Sequence, residues 1–280
     1  MLTCDKALDQ YFKEHARKKS VAWVRTEYAI HALNAHFTGV PINEVDVPMC
    51  HDYHDVRGVA AATVRRELGV LQAAANHAVK WRRLTVAELP SIELPAEEGK
   101  SPVWLFKDEL AALLDTAEET DSRTFRFLQI AYHTASRRAA IERLEWSQVD
   151  EKSRRIALAK PGEQKTKKRR PVVAISEMMA DELALMRKSA ENQWVLGSPA
   201  PVYQAFRAVA AKAGLLHLPH RELREASVLT PHALRHSRAT HLLQDGKPPY
   251  GVAALLGDTL PTVLRVYAHA CPDYLREIVS

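Results

Sequence analysis

TPHALRHSRATHLLQDGKPPYGVAALLGDTLPTVLRVYAH, residues 230–269, is the stretch from which the rest of the chain is read. Thr230-Pro231 is a helix-entry signal, a hydroxyl residue able to cap followed by a proline suited to the first turn. Leu234, Ala239, Leu242 and Leu243 then recur at helical spacing, and Asp245-Gly246 closes the segment as a turn. His232 and Arg235 stand three residues apart, so they share a face of that helix. A second apolar helix covers residues 252–256, with Gly257 suited to end it. After a turn containing Pro261, Tyr267 falls on a third helical stretch, with His269 just beyond.

Taken singly these residues are ordinary. A histidine on an amphipathic helix is usually a surface or satisfied core residue, and a tyrosine is usually packing. Their combination carries the weight. HxxR, an apolar helix ending in Leu-Gly, and a tyrosine nine residues after Asp258 together resemble the C-terminal signature of the tyrosine recombinase (phage integrase) family.

Near the N-terminus, Ala7, Leu8, Tyr11, Phe12 and Ala16 predict an amphipathic helix over residues 5–18. Val24, Tyr28, Ile30, Leu33 and Phe37 predict a second over 21–37, broken at Gly39-Val40-Pro41. Residues 42–56 form a weaker helical stretch. Residues 60–81 form a strong one, with Val64, Leu68, Leu71, Ala74, Ala75, Ala78 and Val79 on its apolar stripe. Four helices without a credible strand make a small all-α bundle. Its last helix resembles that of the family's core-binding domain, with Arg65 and Arg66 as candidate DNA contacts; the competing reading is a solvated helix face. Cys50, His51 and His54 suggest a metal at first sight, but no fourth ligand follows at a sensible spacing.

Residues 88–103 hold three prolines, a glycine and four glutamates without periodicity, which predicts a linker. The expected organisation is a helical core-binding domain at 1–90, a linker at 91–102 and a catalytic domain at 103–280. Beyond the linker, helices are expected over 104–118, 125–134, 177–190 and 201–214. On composition alone residues 134–150 are also a helix with exposed arginines. That segment resembles the family's first-arginine motif: Thr134, Arg137, Leu144, Trp146, Val149 and Asp150 stand at the right spacing. Ala135 replaces a usual glycine. Ala140 replaces a usual acid, which implies an Arg137 held less firmly. Arg138 competes for the role, and the spacing favours Arg137. Residues 155–158 and 171–175 are β-prone and flank a basic turn, predicting a hairpin. The fold class is thus mainly α: a four-helix bundle followed by a mixed α+β domain with a small antiparallel sheet.

Charge is concentrated. The chain carries 39 Lys+Arg against 34 Asp+Glu, yet residues 152–170 alone hold nine basic residues against Glu163. One basic segment of this density points to a polyanion at a defined place. No apolar run is long enough to span a membrane, and the charged N-terminus lacks a signal-peptide centre. Cys4, Cys50 and Cys271 are odd in number and without CxxC spacing, which fits a reducing compartment. The expected location is the cytosol of a bacterial host, with the nucleoid.

The resemblance implies site-specific recombination of DNA through a 3′-phosphotyrosine link, integrating or excising a phage or mobile element. It implies Tyr267 as nucleophile, Arg137 and Arg235 as a phosphate clamp, His232 as proton relay and Lys165 as the acid for the departing 5′ oxygen. Lys167 and Lys168 compete for the lysine's part. Together with Arg169 and Arg170 they are candidate DNA contacts. Asp258 stands where a histidine or tryptophan is usual; an ionised carboxylate cannot donate to phosphate, so either a contributor is lost or a neighbour such as His269 compensates. No metal or nucleotide cofactor is implied. The implied partners are double-stranded DNA, further copies of the chain (a tetramer on paired sites, a monomer when free) and DNA-bending accessory proteins. No membrane is implied, no separate arm-binding domain is expected before residue 1, and any subunit exchange would use residues 274–279. Two alternatives remain: a catalytically impaired DNA-binding relative of the same fold, and a type IB topoisomerase-like relaxing enzyme.

Overall fold

The apolar spacing near the N-terminus produces the expected four helical segments. α1 (Cys4–Tyr11) runs through a π-helical turn into α2 (Arg17–Lys19), followed by α3 (Trp23–Phe37), α4 (Val47–Arg57) and α5 (Ala61–Lys80). The computed structural model describes residues 1–96, 102–160, 171–218, 227–267 and 270, in two compact units, Met1–Lys100 and Ser101–Ser280. In the first unit Leu8, Leu33, Phe37, Leu68 and Leu71 are fully buried. α4 starts where Asp46 accepts from the Met49 amide at 3.0 Å, and stops at left-handed Gly58. Glu67 is buried without an orphaned charge: it accepts from Tyr53 Oη at 2.7 Å and from both Nε and Nη2 of Arg57 at 3.1 Å.

The stretch expected as a linker is partly strapped to this unit. Leu89, Ile92 and Leu94 pack against its core, Ser91 N donates to Val45 O at 3.0 Å, and Arg65 Nη1 donates to Pro95 O at 2.7 Å. Alternating apolar residues between prolines favour an extended chain that lays one side on the bundle.

The second unit is built from α6 (Lys107–Thr120), α7 (Ser122–Thr134), α8 (Arg138–Glu142), α9 (Glu177–Lys188), α10 (Tyr203–Lys212), α11 (His232–Gln244), α12 (Pro249–Leu256) and α13 (Leu260–Tyr267). A three-stranded antiparallel sheet joins β1 (Val149–Asp150), β2 (Arg155–Ala157) and β3 (Val172–Ala174), with Ile156 opposite Val173. These are the two flanks of the expected hairpin plus one further strand. β4 (His217–Leu218) and β5 (Ser227–Val228) form a second pair that is too short to show alternation in sequence.

Three expectations are corrected. Residues 134–150 are not one helix: α8 stops after five residues, because Val195 N donates to Leu144 O and Trp146 N to Gln193 O, both at 2.9 Å. Backbone pairing with 193–195 outcompetes helix continuation. Thr230 caps α11 through its carbonyl, which accepts from Ala233 N at 2.9 Å, and not through its hydroxyl. The helix predicted from residue 104 begins only at Lys107, since Leu105 is pinned to α11. Its amide donates to Ser237 Oγ at 2.8 Å, and His241 Nε2 lies 2.9 Å from its carbonyl. The other ring nitrogen of His241 lies 2.9 Å from Tyr132 Oη. A neutral Nε2–H tautomer satisfies both contacts, with the tyrosine hydroxyl donating to Nδ1. Among the described residues no helix is long and apolar enough to cross a membrane.

Burial holds His241 and His133 below the ordinary histidine range. The unfolded chain therefore takes up protons that the fold refuses, so stability is full above about pH 6.5 and falls as pH drops below it. Thermal melting should show this loss between pH 7 and 5, at up to about 1.4 kcal/mol per pH unit for each histidine. His241→Gln should flatten the pH dependence while costing about 1–3 kcal/mol at pH 7. An unchanged slope would remove His241 from the account.

Candidate functional site

α11 buries Ala233, Leu234, Ala239 and Leu243, and it carries Arg235 into the same interior, where only 4% of the residue stays exposed. A guanidinium there needs acceptors for its donors. Nη1 donates to Ala135 O at 2.8 Å, and Nη2 donates to Leu256 O at 2.9 Å and to Asp258 Oδ2 at 2.5 Å. The two carbonyls sit at the C-terminal ends of α7 and α12, where unsatisfied C=O groups and the negative dipole end attract a cation. Burial, and then the charge of Arg137, lower the pKa of Arg235, while Asp258 opposes that fall.

Local sequence explains both helix ends. α7 closes on Ala135 at φ 50°, ψ 29°, the left-handed region. This is the position where the resemblance expects glycine, and an alanine there costs roughly 1–2 kcal/mol. α12 closes on Gly257 at φ 64°. Gly257 N donates to Ala254 O and Asp258 N to Ala253 O, both at 3.1 Å. This paired closure is a Schellman motif, and it fixes where Asp258 leaves the helix.

Arg137 precedes α8, and its Nη2 donates to Asp258 Oδ1 at 3.1 Å. Asp258 thus spans both guanidiniums, one on each carboxylate oxygen. The acid missing at Ala140 is supplied from 121 residues away in sequence. Position 258, where either a lost contributor or compensation by a neighbour such as His269 is expected, holds the two arginines together. Arg138 turns elsewhere: its Nε lies 3.7 Å from Glu142, and its guanidinium sits over the Tyr203 ring at 5.5 Å. Of the two neighbouring arginines, Arg137 is the one that shares a partner with Arg235.

Tyr267, on α13, is 4% exposed and packs with Ala239, Val252, Leu256 and Val263. Its Oη lies 2.7 Å from Nδ1 of His236. In sequence His232, His236 and His241 suggest zinc, but no HExxH and no nearby carboxylate ligand accompany them; the i,i+4 spacing of His232 and His236 places both on one face of α11. The two imidazoles meet edge to face at 4.6 Å, with His232 on the exposed side. Burial, with Asp258 adding and Arg235 opposing, raises the Tyr267 phenol to about 12. Burial, then His232 and Arg235, push His236 down to about 3 against the pull of Asp258. At neutral pH a neutral imidazole therefore faces a protonated phenol.

Other candidates stand apart from this cluster. Lys165, Lys167, Lys168, Arg169, Arg170 and His269 lie outside the described residues, as do residues 274–279. In the first unit Arg66 is exposed, whereas Arg65 is part-buried against Pro95. Cys50 is buried and His51 Nε2 lies 3.3 Å from Glu93. Among the described residues no group of three or more His, Cys, Asp or Glu is placed to hold a metal ion.

Residues 103–273 match the phage integrase family. Among individual relatives, the integrase of Salmonella phage P22 is 28% identical over 232 residues, covering 78% of this chain. The chain spans only 56% of that integrase's length. Tyrosine recombinase XerD of Staphylococcus saprophyticus is 23% identical over 257 residues, covering 85% of this chain and 82% of its own length. The Tn1549 transposon integrase in complex with transposon right end DNA has the same fold, with a TM-score of 0.79 at 16% identity over the full length of both chains. A lambda integrase tetramer bound to a Holliday junction gives a TM-score of 0.72 at 16% identity, covering 92% of this chain and 78% of that one. Since the family match takes in both arginines, Asp258 and Tyr267, and extends over more than half of the sequence, this chain belongs to the phage integrase family.

Proposed function

We propose that the protein is a site-specific DNA recombinase, acting as the integrase of a phage or mobile element, that cuts and rejoins DNA through a 3′-phosphotyrosine at Tyr267. The observation that carries this reading is that Arg137 and Arg235 share Asp258 while Tyr267 meets His236, the residue next to Arg235, although these residues come from the α7–α8 junction, α11 and α13. Phosphoryl transfer spreads negative charge over the equatorial oxygens, with the entering and leaving oxygens in line. Two guanidiniums that stay charged at any physiological pH suit those oxygens. Asp258 marks the place of an anion between them, and the scissile phosphate would take over its hydrogen bonds.

Ionising a phenol held at about 12 costs roughly 7 kcal/mol at pH 7. A preformed phenolate is therefore too rare to be the working nucleophile. The proton must leave as the Oη–phosphorus bond forms. In this reading the histidine pair receives it, and Lys165 protonates the departing 5′ oxygen, with Lys167 or Lys168 as its competitors. Arg66 and the basic run 167–170 would add sequence-independent phosphate contacts. The DNA-bound relatives support a duplex as substrate and paired sites held by several copies of the chain. Work on bacterial DNA would place the protein in the cytosol, at the nucleoid. One observation favours the impaired DNA-binding reading: the clamp is already occupied by a carboxylate, so the site has to exchange anions before it can cut.

The test is covalent capture from a pool of nicked random-sequence duplexes, followed by denaturation and mapping of the attached ends. Adducts should form at DNA 3′ ends, and Tyr267→Phe should abolish them while still shifting duplex in a gel. Adducts that persist in Tyr267→Phe would displace Tyr267 from its role. No adduct from the unaltered protein, with duplex binding intact, would favour the impaired relative. Both Arg137→Ala and Arg235→Ala should abolish the adduct, but only the second should also unfold the protein more easily. It strands two carbonyls and one oxygen of Asp258, at a cost of about 2–3 kcal/mol, whereas Arg137→Ala should stay within about 1 kcal/mol by chemical denaturation. Asp258→Asn removes the competing anion and should tighten duplex binding severalfold at low salt, about 1 kcal/mol. Weaker binding would mean that Asp258 serves DNA only by holding the arginines.

A further inference from the structure

We infer that His236, and not His232 alone, is a catalytic residue that accepts the Tyr267 proton directly through Nδ1. This rests on the reading of Tyr267 as nucleophile and adds the atom to which its proton goes. The hydrogen bond the structure gives the phenol runs to His236, at 2.7 Å. With Tyr267 4% exposed, bulk water has little access to the hydroxyl, so the acceptor has to be a protein group or the substrate itself. His236 sits next to Arg235 on α11, and the packing of α13 against α11 and α12 brings the phenol onto it. Proton acceptor and phosphate clamp therefore belong to adjacent residues of one helix.

The Oη–H bond of Tyr267 breaks, and its proton moves to the Nδ1 lone pair of His236. The freed Oη electron pair bonds to phosphorus, and the P–O5′ bond breaks with its pair on O5′, which takes a proton from a separate acid. Rejoining reverses each transfer, and the phenol recovers its proton from the imidazolium. Neutral at rest, His236 presents that lone pair in its Nε2–H tautomer, the form in which the phenol hydroxyl donates to Nδ1. Transfer becomes favourable as the phenol oxygen loses basicity by bonding to phosphorus, and the arriving phosphodiester anion adds negative charge beside the imidazole. The edge of His232, 4.6 Å away between ring centres on the exposed side, offers the proton an onward route.

The experiment uses the full chain and the nicked duplex recovered in the capture assay, and measures adduct formation in a single turnover. His236→Asn keeps a hydrogen-bonding atom near the Nδ1 position but cannot take a proton. It should slow adduct formation about 10²–10⁴-fold with duplex affinity unchanged. A fluorinated, more acidic tyrosine at position 267 should then recover at least tenfold of the loss, and should gain less in the otherwise unaltered protein. His236→Gln, which moves the hydrogen-bonding atom, serves as a second variant should the first melt early. A rate within about threefold of the unaltered protein in either folded variant, or a loss that the acidic tyrosine does not relieve, would overturn the assignment. Failure of the unaltered protein to form any adduct would instead overturn the reading of Tyr267, and this step with it.

Discussion

A positive charge placed in the interior is the constraint around which the second unit is arranged. Arg235 is carried inward by the same helix face that carries Leu234 and Ala239, and burial makes every unanswered donor expensive. Its acceptors come from two separated pieces of chain: the end of α7, and the end of α12 with Asp258 just after Gly257. α7, α11 and α12 therefore cannot shift independently without stranding a charge. Much of what fixes the site geometry is thus also what holds the helices together.

The helix endings show the same economy. A left-handed residue closes each of α7 and α12, turning the chain sharply and leaving carbonyls aimed at Arg235. At Gly257 the conformation is free of steric cost, whereas at Ala135 it is not. The strain at Ala135 is tolerated because its carbonyl is one of the guanidinium's acceptors and its methyl group lies fully buried among Ala239, Leu243 and Val252. His241 does a comparable job further along α11, tying Leu105 and Tyr132 to that helix.

The helices were largely legible in the sequence because their apolar spacing is strong: α3, α5, α9 and α11 fall close to where periodicity puts them. The hairpin was legible because two β-prone runs flank one basic turn. Residues 134–150 misled, because helical composition there yields to backbone pairing with 193–195, a partner that no local pattern reveals. The candidate site was legible as a set of residue types and spacings, but not as a network. Nothing within reach of Arg137 in sequence announces a carboxylate 121 positions later. His236 was visible as the i+4 neighbour of His232, yet only the packing of α13 onto α11 gives it the phenol.

The carboxylate shared by the two arginines carries a selectivity of its own. A ligand covalently built into the protein competes at a high effective concentration, so a small free anion such as chloride or inorganic phosphate meets a seat already taken. To evict Asp258, an incoming anion has to arrive with additional attachments that hold it nearby. The chain thereby ranks anions by how much else they bring with them, and an extended polymer outranks any solute of the same local charge.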